Sequence, residues 1–239
     1  MRVACGTSGF SYPAWRGGFY PPRARPAELL GLYAARLPAV EINATFYRMP
    51  TPELLAGWRA RVPPGFAFAL KGPRRITHVK KLAGAEADVA RFHSAAAELG
   101  AALGPVLWQL PPGLRKDLPL LEDFLALLPA GARPAFEPRH PSWLSEDVYA
   151  ALARRGAALV TAHGGEVEAP LLATSRTGYL RLRAPDYRPD ELRAWAERIL
   201  GQPWDEAWVF FKHEEAGRGP ALALALAELL GTAAVAAPR

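Results

Sequence analysis

Short apolar runs rich in Val, Phe and Ala alternate along the chain with longer segments whose apolar residues recur at helical spacing. Eight runs predict strands, at residues 3–6, 39–45, 66–71, 105–110, 134–138, 157–162, 179–183 and 207–213. Eight segments predict helices, near residues 26–36, 52–61, 86–99, 118–128, 146–155, 166–173, 189–200 and 219–230, and the sixth has the weakest pattern. This order is typical of an α/β protein with parallel strands.

The count of eight strand–helix units favours a single (β/α)8 TIM barrel over residues 1–231, with 232–239 as a frayed C-terminal tail. An open doubly wound sheet is the alternative, but polar residues follow nearly every predicted strand rather than one switch point. The first loop, GTSG, is neither a dinucleotide-binding fingerprint nor a P-loop. The barrel is therefore the predicted fold.

Alternation along the predicted strands places charged side chains on the face that points into the barrel. On residues 39–45 the apolar side chains face the helices, so Glu41, Asn43 and Thr45 face the lumen. The same alternation predicts that a second set of polar side chains faces the lumen or the mouth of the barrel: Lys71, Gln109, Glu137, Arg139, Arg181 and Arg183.

Two carboxylates cannot neutralise four cations in a partly desolvated cleft, so the predicted mouth carries a net charge of +2. Unpaired buried charge is unfavourable by several kcal/mol (an order of magnitude), and a bound anion would relieve it. Phosphate suits the geometry of arginine side chains. The alternative is a network of ion pairs that closes the barrel top, with the surplus arginines reaching solvent.

Composition agrees with an anionic partner. The chain has a formal net charge of +6, which favours a small anionic or phosphorylated ligand and is compatible with nucleic acid. Half of the residues are apolar and 22% are charged, which argues against disorder. Cys5 is the single cysteine, so no intrachain disulfide can form and we expect a cytoplasmic protein. No apolar run is long enough to span a membrane, and we expect no membrane association.

Four of the five histidines follow predicted strands: His78, His140, His163 and His213. One of them could act as a general acid or base. Alternatively, His163 and His213 could bind a divalent metal together with Glu41 or Glu137. No spaced pair such as H-E-x-x-H supports the metal, so it is disfavoured and the sequence assigns no cofactor. His93 lies within a predicted helix and is expected at the surface.

Six segments in residues 4–143 resemble the family called domain of unknown function 72: CGTSGFSYPAW, GGFYP, VEINATFYRMP, GFAFALKGPRRITHVKKL, GPVLWQLPP and FEPRHPSW. The resemblance implies a TIM barrel and no established activity. Members look similar in fold to metal-dependent abasic-site endonucleases and xylose isomerases, which is an analogy of fold alone. Carried over by position, the family pattern marks Thr7, Ser8, Glu41, Asn43, Thr45, Tyr47, Lys71, Thr77, His78, Gln109, Glu137, Arg139, His140 and Trp143.

The C-terminal half departs from that family. Similar proteins tend to read A-D where this chain has Ala162-His163, and R-L-H-G where it has Arg181-Leu182-Arg183-Ala184. They often read F-N-N where it has Phe211-Lys212-His213. Each change alters the charge or the hydrogen-bond donors at the predicted barrel top.

We therefore expect an enzyme that uses acid–base chemistry on a phosphorylated or nucleic-acid-derived substrate at the C-terminal face of the barrel. Glu41 or Glu137 would be the base and His78 or His140 the acid. The expected ligand-binding residues are Asn43, Thr45, Tyr47, Lys71, Gln109, Arg139, Trp143, Arg181, Arg183 and Lys212. The alternative is a protein that binds nucleic acid or an anionic metabolite without chemistry.

Overall fold

The computed structural model describes residues 1–231, so the predicted tail at 232–239 lies outside the described residues. Eight parallel strands, paired in sequence order, close into a barrel in which β8 pairs with β1. The strands are β1 (Arg2–Ser8), β2 (Ala39–Ile42), β3 (Ala67–Lys71), β4 (Leu103–Gln109), β5 (Pro134–Glu137), β6 (Ala158–His163), β7 (Thr177–Leu182) and β8 (Glu206–Phe211). The predicted (β/α)8 fold is confirmed.

Helices connect the strands around the outside of the barrel, as parallel pairing requires. They are α1 (Leu29–Ala34), α2 (Ala44–Tyr47), α3 (Pro52–Arg59), α4 (Glu86–Ala96), α5 (Leu118–Ala126), α6 (Glu146–Arg155), α7 (Pro189–Leu200) and α8 (Arg218–Leu229). A π-helical turn, Arg75–Val79, follows β3 and carries His78. No helix of the described residues is long and apolar enough to cross a membrane.

Two predicted elements are wrong. The strand predicted at 39–45 ends at Ile42, and the chain turns into the short helix α2. The helix predicted at 166–173 is absent: the chain leaves β6 through Gly164, whose φ is 76°, and the segment up to β7 is irregular and tied back by side-chain hydrogen bonds. Thr161 donates to the Pro170 carbonyl at 3.2 Å, and Thr174 accepts from the Leu159 amide at 2.8 Å.

Side chains fill the lower part of the lumen. The interior cluster combines small residues with a few large ones: Ala4, Ala39, Ala67, Ala69, Leu107, Ala135, Ala158, Val160, Tyr179, Trp208 and Phe210. Small and large residues interlock in this way in a tapered barrel. The lumen is thus a packed core, and the polar residues lie above it at the C-terminal ends of the strands.

Candidate functional site

Arg181, on β7, lies at the centre of the polar layer. Its guanidinium donates from Nη1 to Glu137 Oε2 at 2.6 Å and from Nη2 to Glu41 Oε1 at 2.8 Å. The arginine side chain is 4% exposed and both carboxylates are almost completely buried. One cation therefore joins the ends of β2 and β5 across the lumen, in a setting where losing one partner leaves a buried charge uncompensated.

Glu41 is held by hydroxyl groups as well as by Arg181. Tyr179 donates to Oε2 at 2.7 Å, Ser8 donates to Oε1, and the Asn43 amide donates to Ser8 Oγ at 2.8 Å. Burial raises the pKa of Glu41, but Arg181 and the Ser8 and Tyr179 hydrogen bonds outweigh it, so the pKa is lowered. Glu41 is ionised at neutral pH and is a weak base.

Glu137 accepts from two further arginines. Arg139 Nε donates to Oε1 at 2.7 Å and Arg183 Nη2 donates to the same oxygen at 3.0 Å. Burial raises the pKa of Glu137, yet the charges of Arg181, Arg139 and Arg183 dominate and lower it to about 2. These three arginines and the Gln109 amide, which donates to Oε2, leave no proton on this carboxylate near neutral pH. These contacts favour a role in orienting arginines over the expected role of a base.

Lys71 connects to this network through an amide. Its Nζ donates to Gln109 Oε1 at 2.8 Å, and Gln109 Nε2 donates to Glu137 Oε2 at 2.9 Å. Its Nζ also lies 3.9 Å from the centre of the Phe46 ring. Burial, followed by the charge of Arg181, lowers the pKa of Lys71 to about 8, and Glu41 and Glu137 only partly oppose the shift.

The four cations and two carboxylates counted from the sequence lie together at this end of the barrel, with the arginines joined to the carboxylates by ion pairs. Lys71, Arg139, Arg181 and Arg183 bring four positive charges against Glu41 and Glu137, which leaves +2 at the mouth. Arg181 lies on β7 and Arg183 follows its end. The Nε of each is buried and has no acceptor among the described residues. The donors at this end of the barrel therefore exceed the acceptors that the described chain supplies.

The two histidines expected to act as acids lie at the rim. His78 Nδ1 is 2.8 Å from Thr77 Oγ1, and its ring meets the Phe46 ring edge to face. Burial, and then the charges of Lys71, Arg74 and Arg139, lower the pKa of His78 to about 4. It is neutral at physiological pH, which disfavours a general-acid role. His140 caps the short helix Pro141–Trp143, where its Nδ1 accepts from the Ser142 amide at 3.1 Å.

Two of the expected ligand-binding residues are buried and bind the backbone, and two others are exposed. Thr45 is buried in α2 and donates to the Lys71 carbonyl at 2.7 Å, so it fixes the backbone at the end of β3. Trp143 is 1% exposed and its indole donates to the Leu114 carbonyl at 2.8 Å. Tyr47 is 79% exposed, and Lys212 is exposed beyond the end of β8. The placement of Thr45 on an inward strand face is therefore wrong.

The histidines considered for a metal flank Tyr187. His163 Nδ1 is 2.8 Å from Tyr187 Oη, and His213 Nε2 is 2.6 Å from the Ala184 carbonyl. Glu41 and Glu137 are instead engaged by arginines. No group of three or more His, Cys, Asp or Glu among residues 1–231 is arranged to hold a metal ion. The proposed ligand set of two histidines and a carboxylate does not assemble, so it is wrong.

Sequence reasoning from strand alternation missed three contributors to the polar layer. Ser8 and Tyr179 complete the shell around Glu41, and Phe46 covers the Lys71 amine. Tyr179 precedes Arg181 by two residues on β7, so the same alternation would have turned it inward. Phe46 carries no such signal because it lies on α2, beyond the strand.

A glycine-rich turn lies against this layer. A side chain added at Gly164 would approach the Ala184 amide nitrogen to 2.5 Å, and one added at Gly165 would approach Arg183 Nη2 to 2.9 Å. The start of the β6–β7 segment thus packs directly on the arginine that follows β7. This contact limits how far the Arg183 guanidinium can move toward β6.

The closed parallel barrel and its ion-paired C-terminal mouth define a TIM-barrel protein. The chain belongs to the family described as "Protein of unknown function DUF72", whose sequence pattern matches residues 4–239. The curated relative YecE of Escherichia coli is 32% identical over 115 residues, which are 48% of this chain and 42% of that protein. The match thus spans less than half the length of this relative.

Solved structures of the family share the fold. A DUF72 family protein from Thermotoga maritima superposes with a TM-score of 0.84 at 27% identity, covering 97% of this chain and all of the other. A DUF72 family protein from Enterococcus faecalis gives a TM-score of 0.78 at 20% identity, covering 97% of this chain and 96% of the other.

Proposed function

We propose that the C-terminal mouth of the barrel binds a small phosphorylated ligand, and that the chain is an enzyme acting on that ligand. The observation that carries the proposal is the surplus of positive charge around the single carboxylate Glu137. Three arginines converge on it, and Lys71 reaches it through Gln109. An anion at the mouth would neutralise the surplus.

Arg139 and Arg183 are the arginines best placed to hold the anion. Their side chains keep 17% and 12% exposure, whereas Arg181 keeps 4% and is occupied by two carboxylates. Each donates a single side-chain hydrogen bond to Glu137, so guanidinium N–H groups are left for a phosphate. Arg181 would serve mainly to fix Glu41 and Glu137.

Lys71 is the ionisable group at the mouth whose pKa favours proton transfer near neutral pH. A pKa of about 8 keeps both forms of the amine available, which efficient acid–base catalysis needs. Glu41 and Glu137 are held as anions and His78 as a neutral ring. The acid–base role therefore moves from the residues expected from the sequence to Lys71.

The proposal is tested by thermal unfolding and titration calorimetry with inorganic phosphate, sugar phosphates and nucleotides. A ligand at about 100 times its dissociation constant stabilises the native state by about 2.7 kcal/mol. Replacing one arginine, in Arg183→Met or Arg139→Met, should weaken phosphate binding about tenfold or more, which is about 1.4 kcal/mol. Turnover is then sought with every ligand that binds.

Arg61→Met is the matched control. It removes one positive charge from an exposed arginine that follows α3, at the opposite end of the barrel from the mouth. Phosphate affinity should be unchanged in this variant. Absence of stabilisation by any phosphorylated compound, or equal losses in Arg183→Met and Arg61→Met, would contradict the proposed site.

The alternative function is binding of nucleic acid or an anionic metabolite without chemistry. Tyr47, 79% exposed on α2 next to Phe46, offers an aromatic face on which a base could stack. Tight binding of an oligonucleotide that weakens steeply with salt, together with no turnover of any ligand, would favour this alternative.

A further inference from the structure

We propose that Lys71 is a nucleophile whose amine condenses with the carbonyl carbon of a phosphorylated aldehyde or ketone held at the barrel mouth. The inference rests on the proposed function, because Arg139 and Arg183 would hold the phosphate of the same substrate. It extends that function by naming a carbonyl group as the reacting part of the ligand and a covalent step as the chemistry.

The position of the amine sets Lys71 apart from the other lysines. Lys80 pairs with Asp88 and Lys116 with Asp147, each at 2.9 Å. Lys71 is 8% exposed and forms no ion pair within 4.0 Å with any described carboxylate. Its amine contacts the neutral Gln109 amide and the Phe46 ring. A buried lysine without a carboxylate loses its proton more easily than a paired one.

The surrounding arginines reinforce this effect. Burial, and then the charge of Arg181, lower the pKa of Lys71 to about 8. About a tenth of the molecules would therefore carry the free amine at pH 7, compared with well under a thousandth for an ordinary lysine. Lowering the pKa in this way is a general route to a nucleophilic lysine.

The condensation conserves atoms and charge. The lone pair of Lys71 Nζ attacks the carbonyl carbon, and the carbonyl π electrons move to the oxygen, which takes up a proton. The nitrogen then gives up one of its two protons, and the oxygen leaves as water with that proton and the one it has already taken up. The other proton stays on the nitrogen of the iminium ion, so that amine, carbonyl compound and one proton yield iminium and water. The iminium carries the same single positive charge as the lysine ammonium, so the charge of the polar layer is preserved.

Gln109 fits this step because its amide has a fixed direction. Its Nε2 donates to Glu137 Oε2, so its Oε1 is the atom presented to Lys71. Oε1 accepts a hydrogen bond from the amine and thereby orients the nitrogen and its lone pair once the ammonium has lost its proton. Phe46 covers one side of the nitrogen and reduces its contact with water.

The experiment traps the iminium. The protein is incubated with glycolaldehyde phosphate and sodium cyanoborohydride, which reduces an iminium to a stable secondary amine, and the modified lysines are identified by peptide mass spectrometry. We expect Lys71 to be labelled at least about tenfold faster than Lys80, Lys81, Lys116 and Lys212, because a larger fraction of its amine is free. Excess inorganic phosphate should suppress labelling of Lys71 alone.

Two controls separate the parts of the proposal. Glycolaldehyde without phosphate should label Lys71 more slowly, since it lacks the group that Arg139 and Arg183 would bind. The rate of labelling at Lys71 should rise with pH to a half-maximum near pH 8. Lys71→Met should lose the selective label, and Lys116→Met should keep it.

The outcomes distinguish this inference from the proposed function. If phosphate stabilises the protein but Lys71 is labelled no faster than the exposed lysines, the nucleophile is overturned and the anion site stands. If glycolaldehyde and its phosphate label Lys71 equally, the phosphorylated substrate is overturned. If phosphate neither stabilises the protein nor slows the labelling, the proposed function fails, and this inference with it.

Discussion

At the scale of single residues, the ion pairs around Arg181 differ in kind from those on the surface. Glu41 has one cationic partner among the described residues, and that partner is shared with Glu137. Both carboxylates are buried, so neither can turn to water if the guanidinium is lost. The contribution of Arg181 to the free energy of unfolding is therefore determined by the cost of leaving a buried charge unpaired, rather than by the strength of the ion pair itself.

Arg181→Met should therefore lower the free energy of unfolding by about 3–5 kcal/mol at pH 7, measured by urea unfolding. Arg188→Met, which breaks an exposed pair with Asp190, should cost about 1 kcal/mol or less. The gap in unfolding free energy between the two variants should narrow at pH 4, because Glu41 has no other cationic partner among the described residues and gains a proton once Arg181 no longer lowers its pKa. Equal costs at pH 7 would contradict the role of Arg181 as the shared partner.

The inward placement of Thr45 failed for a physical reason. Alternation fixes the face of a side chain only while the strand continues, and Thr45 lies beyond the end of its strand at Ile42. Arg139 and Arg183 also lie beyond strand ends, yet both turn to the mouth. They do so because the charge of Glu137 attracts them, a force that the sequence pattern does not reveal.

At the scale of elements, the segment between β6 and β7 replaces a helix of the regular barrel. Turn residues Gly164 and Gly165 begin it, and Thr161 and Thr174 fasten it to β6. Strand positions were predictable because eight apolar runs each need burial on both faces. The absence of the sixth helix was not predictable, because its weak apolar spacing is equally compatible with an irregular segment held by side-chain hydrogen bonds.

This segment gives a test at Gly165. A methyl group there would meet Arg183 Nη2 at 2.9 Å, and the tip of a long flexible side chain can move aside. Gly165→Ala should leave the free energy of unfolding within about 1 kcal/mol of wild type, while weakening phosphate binding measured by calorimetry. Gly113→Ala, whose added methyl meets nothing within 4 Å, should change neither quantity. Unaltered phosphate binding in Gly165→Ala would show that the Arg183 position is not sensitive to this segment.

At the scale of the whole molecule, buried histidines link folding to pH. His93 was expected at the surface, but it is partly buried on α4, its ring centre lies 6.1 Å from that of Trp108, and its Nε2 has no acceptor among the described residues. Burial lowers the pKa of His93 to about 4, and burial together with nearby positive charges lowers the pKa of His78 to about 4. Folding therefore favours the neutral rings.

The stability supplied by these neutral rings is fully present above about pH 6.5 and declines as the pH falls toward 4. His93→Leu should reduce the loss of unfolding free energy between pH 7 and pH 5 by on the order of 1 kcal/mol, measured by urea unfolding at both values. Glu137 lowers the free energy of unfolding further only below about pH 4.5, where its carboxylate takes up a proton in the unfolded chain but stays ionised in the folded one. An identical pH 7 to pH 5 loss in wild type and His93→Leu would contradict this account.

The filled lumen has a kinetic consequence for any ligand of the mouth. Tyr179, Phe210 and Leu107 occupy the space beneath the polar layer, so residues 1–231 leave no second exit toward the N-terminal end of the barrel. A ligand that enters the mouth must leave by the same opening, and a product still bound excludes the next substrate. For a reaction of one substrate and one product, the product should therefore inhibit competitively.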